Sequence, residues 1–237
     1  MAYLLLLFGL SFAPGLLWLW FFYRKDRIEP EPVRLIVRTF LLGVALGVPA
    51  ALLELFFVES LLVTVVIAPV IEEALKFVGV RFTVYRRAEF DEPLDGIVYT
   101  AAVALGFASI ENALYLFASY LTAVETAESL RALSPLGVVT SVFVVRALLS
   151  VPAHVLYSSL WGYALGKAKF AGPLLRRKLI ARGLGLAVLC HALFNLFASH
   201  LPQAALGELI LVVLMWKVVL RHIDEGLRVS PHTRPSP

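Results

Sequence analysis

The sequence predicts an all-α polytopic membrane protein, a bundle of about seven (seven to eight) transmembrane helices. Three observations predict it. Of the 237 residues 60% are apolar and only 16% are charged, against roughly 25% charged in an ordinary soluble domain. The mean hydropathy is +0.85, more apolar surface than one soluble core of this size can hide. The apolar residues also fall into stretches near the roughly 20 residues that a bilayer core of about 30 Å demands. Disorder, nucleic-acid binding as the main task and a secreted disulfide scaffold are excluded by the same composition, since Cys190 is the single cysteine.

The first stretch, roughly 3–23, has no basic region ahead of it, so it reads as a permanent span and not as a cleaved signal peptide. The second covers roughly 35–53, and the third roughly 60–84 with APVIEEALKFVGV at its middle. The fourth, roughly 95–121, opens on Asp95-Gly96 and carries Glu111-Asn112. The fifth, roughly 137–166, is long and contains Pro152, which predicts a kink, a strong tilt or a short interfacial helix ahead of it. The sixth and seventh, roughly 180–200 and 204–220, are joined only by Leu201 to Gln203, which demands a tight antiparallel hairpin. Residues 1–228 read as one integral-membrane domain, and 229–237 (VSPHTRPSP) as a disordered cytoplasmic tail. There is no repeat and no glycine loop of a nucleotide-hydrolysing engine.

Charge sets the orientation. Lys and Arg sort onto alternate loops: five in 24–38, three in 81–87, six in 167–182 and three from Arg221 onward, 17 of the 21. Lys76, Arg146 and Lys217 fall within spans, which leaves Arg131 alone on the other side with Glu54, Glu59, Glu125 and Glu128. The positive-inside rule then places the N-terminus outside and the C-terminus in the cytoplasm of a cell (cytoplasmic) membrane protein. The net charge of +4 is accounted for by topology.

Ionisable residues within spans are expensive and mark function by default. Glu72 and Lys76 stand one turn apart on one face, with Glu73 beside them. Arg146 and His154 share a face of the fifth span, and His191 and Asn195 share one on the sixth. Asp95 lies at the start of its span, where capping serves as an equal reading. Each feature alone has a plain explanation: a self-neutralising pair, an interhelical hydrogen bond, Arg146 paired with Glu111. Together, four spans with polar residues at middle depth cannot all face lipid, and they predict one interior cavity. Gly96, Gly106, Gly162, Gly166, Gly183 and Gly185 would let these helices approach closely.

Such a set suits peptide hydrolysis, with Glu72 or Glu73 as the base that activates water. His154 and His191 would orient water or donate protons, and Asn195 would donate to the oxyanion. No metal is required on this reading; the alternative is zinc held by His154, His191 and Glu72 or Glu73. A proton- or ion-coupled transporter uses similar residues, and a third reading is a scaffold whose polar residues only hold helices together.

These residues carry a pattern that resembles the PrsW family of intramembrane proteases, within the wider group of CAAX-prenyl endopeptidases. The resemblance spans nearly the whole chain. YRKDRIEPEP follows the first span; EEALKF contains Glu72, Glu73 and Lys76; DGIVYTAAVALGFASIEN contains Asp95, Glu111 and Asn112; HVLYSSLWGYALG contains His154; and HALFN contains His191 and Asn195. Tyr99-Thr100 depart from the small residues more usual after DGIV. The resemblance implies an integral-membrane peptidase acting on membrane-anchored proteins, with Glu72 as base, Glu73 as its partner and His154 and His191 as water or metal contacts. It further implies Asn195 as oxyanion donor, with Lys76, Asp95, Glu111, Asn112 and Arg146 as supporting residues. Cleavage of anti-sigma factors is the substrate class associated with the family.

Overall fold

The computed structural model describes residues 2–55, 60–130 and 135–233, and among these there is no strand. The side chains of Glu54, Glu59, Glu128 and Arg131, and residues 234–237, lie outside the described residues. Helix α1 (Ala2–Tyr23) is followed by α2 (Val33–Leu55), a π-helical turn at Val63–Ile67 and α3 (Ala68–Thr83). Then come α4 (Asp95–Leu130) and α5 (Pro135–Val145), which passes through a second π turn, Arg146–Ser150, into α6 (Val151–Lys169). Helices α7 (Pro173–Ala198) and α8 (Ala205–Val229) close the chain.

Each predicted stretch thus corresponds to one helical rod. Five segments are long and apolar enough to cross a membrane unaided: Leu6–Tyr23, Val33–Leu53, Asp95–Glu125, Pro135–Lys169 and Pro173–Ala198. Helix α3 has only 16 residues, and α8 is charged along its second half. Four rods extend beyond the apolar stretches, because basic and polar residues at a membrane surface continue a helix without cost to the bilayer.

Helices α4 and α6 form the interior. Residues 97–108 of α4 and 151–168 of α6 are almost entirely buried, which explains why neither has a polar face. Helix α4 packs against α1, α2 and α6, and α6 packs against α7 and α8. The close approach depends on glycine, as two positions on α4 illustrate. A Cβ at Gly106 would collide with the Phe40 carbonyl of α2, and one at Gly96 would collide with the Gly162 carbonyl of α6. The outer helices turn Leu16, Leu17, Trp20, Leu174, Leu206 and Ile210 outward, as a lipid-facing surface requires.

The long fifth stretch is neither broken nor preceded by a separate interfacial helix. Proline has no N–H and its ring crowds the carbonyl one turn back. Both Pro69 and Pro152 follow a π turn by two residues, and widening the helix there relieves the clash. Single π turns frequently mark functional sites. Each one here precedes the residues of greatest interest, Glu72-Glu73 and His154. The start of the expected tail is also ordered: Pro231–Thr233 form a 3-10 turn, Ser230 is buried, and His232 Nε2 lies 3.1 Å from Asp91 Oδ1.

Candidate active site

The second turn of α3 brings Glu72, Glu73 and Lys76 inward, all three buried. Lys76 is the hub. Its ammonium donates to Glu72 Oε2 at 3.2 Å and to Glu73 Oε1 at 2.9 Å, and it lies 3.1 Å from His154 Nδ1 of α6. Three donors meet three acceptors, so the charge is satisfied without water. The Phe107 ring centroid, 4.3 Å from Nζ, adds a cation–π contact.

The two glutamates, adjacent in sequence, have different surroundings. Glu73 is fully buried; besides Lys76, its Oε2 accepts from Ser158 Oγ at 2.6 Å and Trp161 Nε1 at 2.8 Å. His191 Nδ1 stands 3.3 Å from its Oε1. Glu72 turns Oε2 toward both histidines, 3.8 Å from His154 Nδ1 and 3.9 Å from His191 Nε2. Tyr157 stacks on His191 with ring centroids 4.1 Å apart and planes inclined by 13°, which fixes that imidazole.

A second layer holds His154. Its Nε2 lies 2.8 Å from Glu111 Oε2 of α4, and the other oxygen of Glu111 accepts from Arg146 Nη2 at 3.1 Å. Arg146 also donates through Nε to Asn112 Oδ1 at 3.0 Å. Asn112 in turn donates to the Ser11 carbonyl of α1 at 3.1 Å. Polar groups from α1, α3, α4, α6, α7 and the second π turn thus form one connected network.

Two of the expected residues lie apart. The Asn195 amide donates to the Thr64 carbonyl in the first π turn at 2.9 Å, so it clamps α7 to the entry of α3. Asp95 stands about 24 Å along α4 from Glu111. Its Oδ2 accepts from the backbone N–H groups of Asp91 and Glu92 at 2.7 and 2.8 Å, so it closes the preceding loop and does not support the catalytic cluster. Around it gather Asp26, Glu31 and Glu92, all buried. The Tyr99 hydroxyl donates to Glu31, and Thr100 packs against Gly162; the two residues that depart from the family pattern thus take up contacts of their own. Burial first, then the charge of Glu92, holds Asp26 up to about 7. Burial first, then the charge of Asp95, pushes Glu31 up to about 10. Sequence reasoning gave no role to Tyr157, Ser158 and Trp161. Their spacing of three, four and seven from His154 places them on its helix face, and that signal was available.

A family model described as "PrsW family intramembrane metalloprotease" matches residues 31–221. The chain belongs to the PrsW family. It is therefore an intramembrane peptidase and a multi-pass membrane protein. A protein named Protease PrsW from Geobacillus kaustophilus is 41% identical over 67% of this chain and 65% of its own length. Its counterpart from Bacillus subtilis is 34% identical over 92% of this chain and 94% of its own. The one from Halalkalibacterium halodurans is 37% identical over 78% and 80%. No solved structure matches.

The residues fit the metal that the PrsW description implies. Glu72, His154 and His191 each present a ligand atom within 4.8 Å of the others. Two imidazoles and a carboxylate are a catalytic zinc donor set, and Glu111 and Glu73 stand behind the far nitrogens as such histidines require. Lys76 occupies the same corner, so a bound cation and its ammonium would compete for Glu72 and His154.

Proposed function

We propose that the chain hydrolyses a peptide bond of membrane-anchored proteins with water activated by Glu72. One observation carries the assignment: Glu72 Oε2 faces both histidines at a separation that one water can bridge, whereas Glu73 is consumed by Lys76, Ser158 and Trp161. In the forward step Glu72 takes a proton from water as the oxygen attacks the carbonyl carbon. His191 Nε2, 3.9 Å from Glu72 Oε2, accepts a hydrogen bond from the attacking water, and the proton on Glu72 passes to the leaving nitrogen as the carbon–nitrogen bond breaks. Glu73 holds His191 and Lys76 in place, and Glu111 orients His154.

Asn195, bound to Thr64, supports the cluster by holding α7 against the first π turn. The metal-assisted reading rests on the convergence of Glu72, His154 and His191. Zinc there would polarise the carbonyl and acidify bound water. The orientation places the basic loops in the cytoplasm, and membrane-anchored regulators such as anti-sigma factors fit as substrates.

The test is Glu72→Gln with a single-span substrate in liposomes. Cleavage should fall by at least 10²-fold while the protein still inserts and folds. Full activity in that variant would remove Glu72 from the reaction. Cleavage that survives metal stripping would select the metal-free route.

A further inference from the structure

The buried acids where α4 begins have no role in peptide hydrolysis. Both carboxylate oxygens of Asp26 and of Glu92, Oε1 of Glu31 and Oδ1 of Asp95 are buried and make no well-formed hydrogen bond; Ser230 near Glu92, the Glu29 and Glu31 backbone near Asp26, and Glu31 near Asp95 are their closest polar neighbours. Asp26 is 3% exposed, Glu31 1%, Glu92 and Asp95 0%. Among the described residues no Lys, Arg or His lies within ion-pair distance of any of the four; the ion pair of this loop joins Asp91 and His232. Two basic side chains at this end are engaged on carbonyls instead. Lys169 donates to Tyr85 at 2.7 Å and to Arg87 at 3.5 Å, and Arg176 to Ala168 at 2.9 Å.

Buried carboxylates are paired or coordinate metals, because an isolated buried charge is too costly. The arrangement has the form of a cage. The backs of Asp95 and Glu31 are held by the loop amides and the Tyr99 hydroxyl, and their other oxygens make no well-formed hydrogen bond. Asp26, Glu92 and Asp95 each offer an oxygen within 4.8 Å of the other two. Oxygens around Ca²⁺ lie about 2.3–2.6 Å from the ion, hence at most about 5 Å apart, and six to eight are needed. Six carboxylate oxygens of this corner make no well-formed hydrogen bond; one each from Asp26, Glu92 and Asp95 converge, and waters would complete the shell.

We propose that Asp26, Glu92 and Asp95, with Glu31 beside them, bind a hard divalent cation of the Ca²⁺ type. The ion ties the α1–α2 loop and the α3–α4 loop to the first turn of α4. It is separate from any metal of the protease cluster, by about 24 Å along α4.

Full-length protein in detergent, stripped with EDTA, is titrated with CaCl₂ while melting is followed, and in parallel with Tb³⁺, whose luminescence is excited through Tyr99. At a hundredfold excess over Kd, Ca²⁺ should raise the melting temperature by about 5–10 °C, and Tb³⁺ emission should saturate. Glu92→Gln should abolish both responses, and Glu72→Gln should keep both. Asp26→Asn is the second variant; each neutral substitution removes an unpaired buried charge, so in EDTA both should melt at or above wild type. No response in wild type, a response that survives Glu92→Gln, or one lost in Glu72→Gln would each overturn the proposal. So would variants that melt below wild type in EDTA.

Discussion

Two buried acid clusters lie at opposite ends of the first half of α4, and they neutralise their charge differently. At the protease cluster, Glu73 and Glu111 are each met by a base and Lys76 spends all its donors. At the start of α4, four carboxylates form no ion pair among the described residues. The first cluster carries its own counter-charges, because the groups around Glu72 must keep their positions while it takes up and releases a proton. The second leaves its charge to something external, a cation or a proton. Burial alone therefore does not identify a catalytic site; the distribution of partners does.

The largest effect that would sharpen this contrast is on stability. Glu73→Gln removes the charge of a fully buried ion-pair partner and turns an amide NH₂ onto the Lys76 donor or the Ser158 and Trp161 donors, a loss of about 3–5 kcal/mol. It should show as a lower unfolding midpoint in detergent, together with loss of cleavage. Glu72→Gln in the same assay should lower the midpoint less, since Glu72 also takes charge from Lys76, at 3.2 Å, while Ser158 and Trp161 donate to Glu73. Equal destabilisation by both substitutions would erase the distinction drawn between the two glutamates.

An intermediate effect concerns pH. The folded-state pKa of Asp26 is raised from 3.8 to about 7 and that of Glu31 from 4.5 to about 10. Between the unfolded and folded values, the folded chain holds protons that the unfolded chain releases, so stability falls as pH rises. In EDTA the melting temperature should be highest near pH 4–5 and decline through pH 7 and beyond. Saturating Ca²⁺ should flatten or reverse that slope, since the cation binds the deprotonated acids. A flat profile in EDTA would mean that the second cluster already has internal partners.

The smallest effect is at Asn195. Losing its bond to Thr64 should cost about 0.6 kcal/mol, the average for an interhelical hydrogen bond in a membrane. Cleavage by Asn195→Ala should then fall only a few-fold. A loss as large as that of Glu72→Gln would return Asn195 to the oxyanion.

Much of the site was legible in one dimension. Glu72, Glu73, Lys76, His154 and His191 stood out because charge at mid-span must be buried against charge, and the i, i+4 spacing put Glu72 on Lys76. The pairing of Arg146 with Glu111 followed from sign alone. Asp95 was misplaced because an acid at the mouth of a span has the same sequence appearance whether it faces the site or caps a loop. Trp161 and Ser158 were passed over because neither is ionisable, although both donate to Glu73.

The sequence by itself determined the helix count, the lipid-facing character of the outer rods, the family and the polar residues that had to converge. Those follow from the cost of exposing polar groups to lipid, which acts on every residue independently of its neighbours. Only the tertiary structure decided which glutamate faces the histidines, and that Asn195 serves a π turn while four acids share one buried corner. These depend on helix rotation and on contacts 80 or more residues apart, such as Ser158 with Glu73, for which no local period encodes the register.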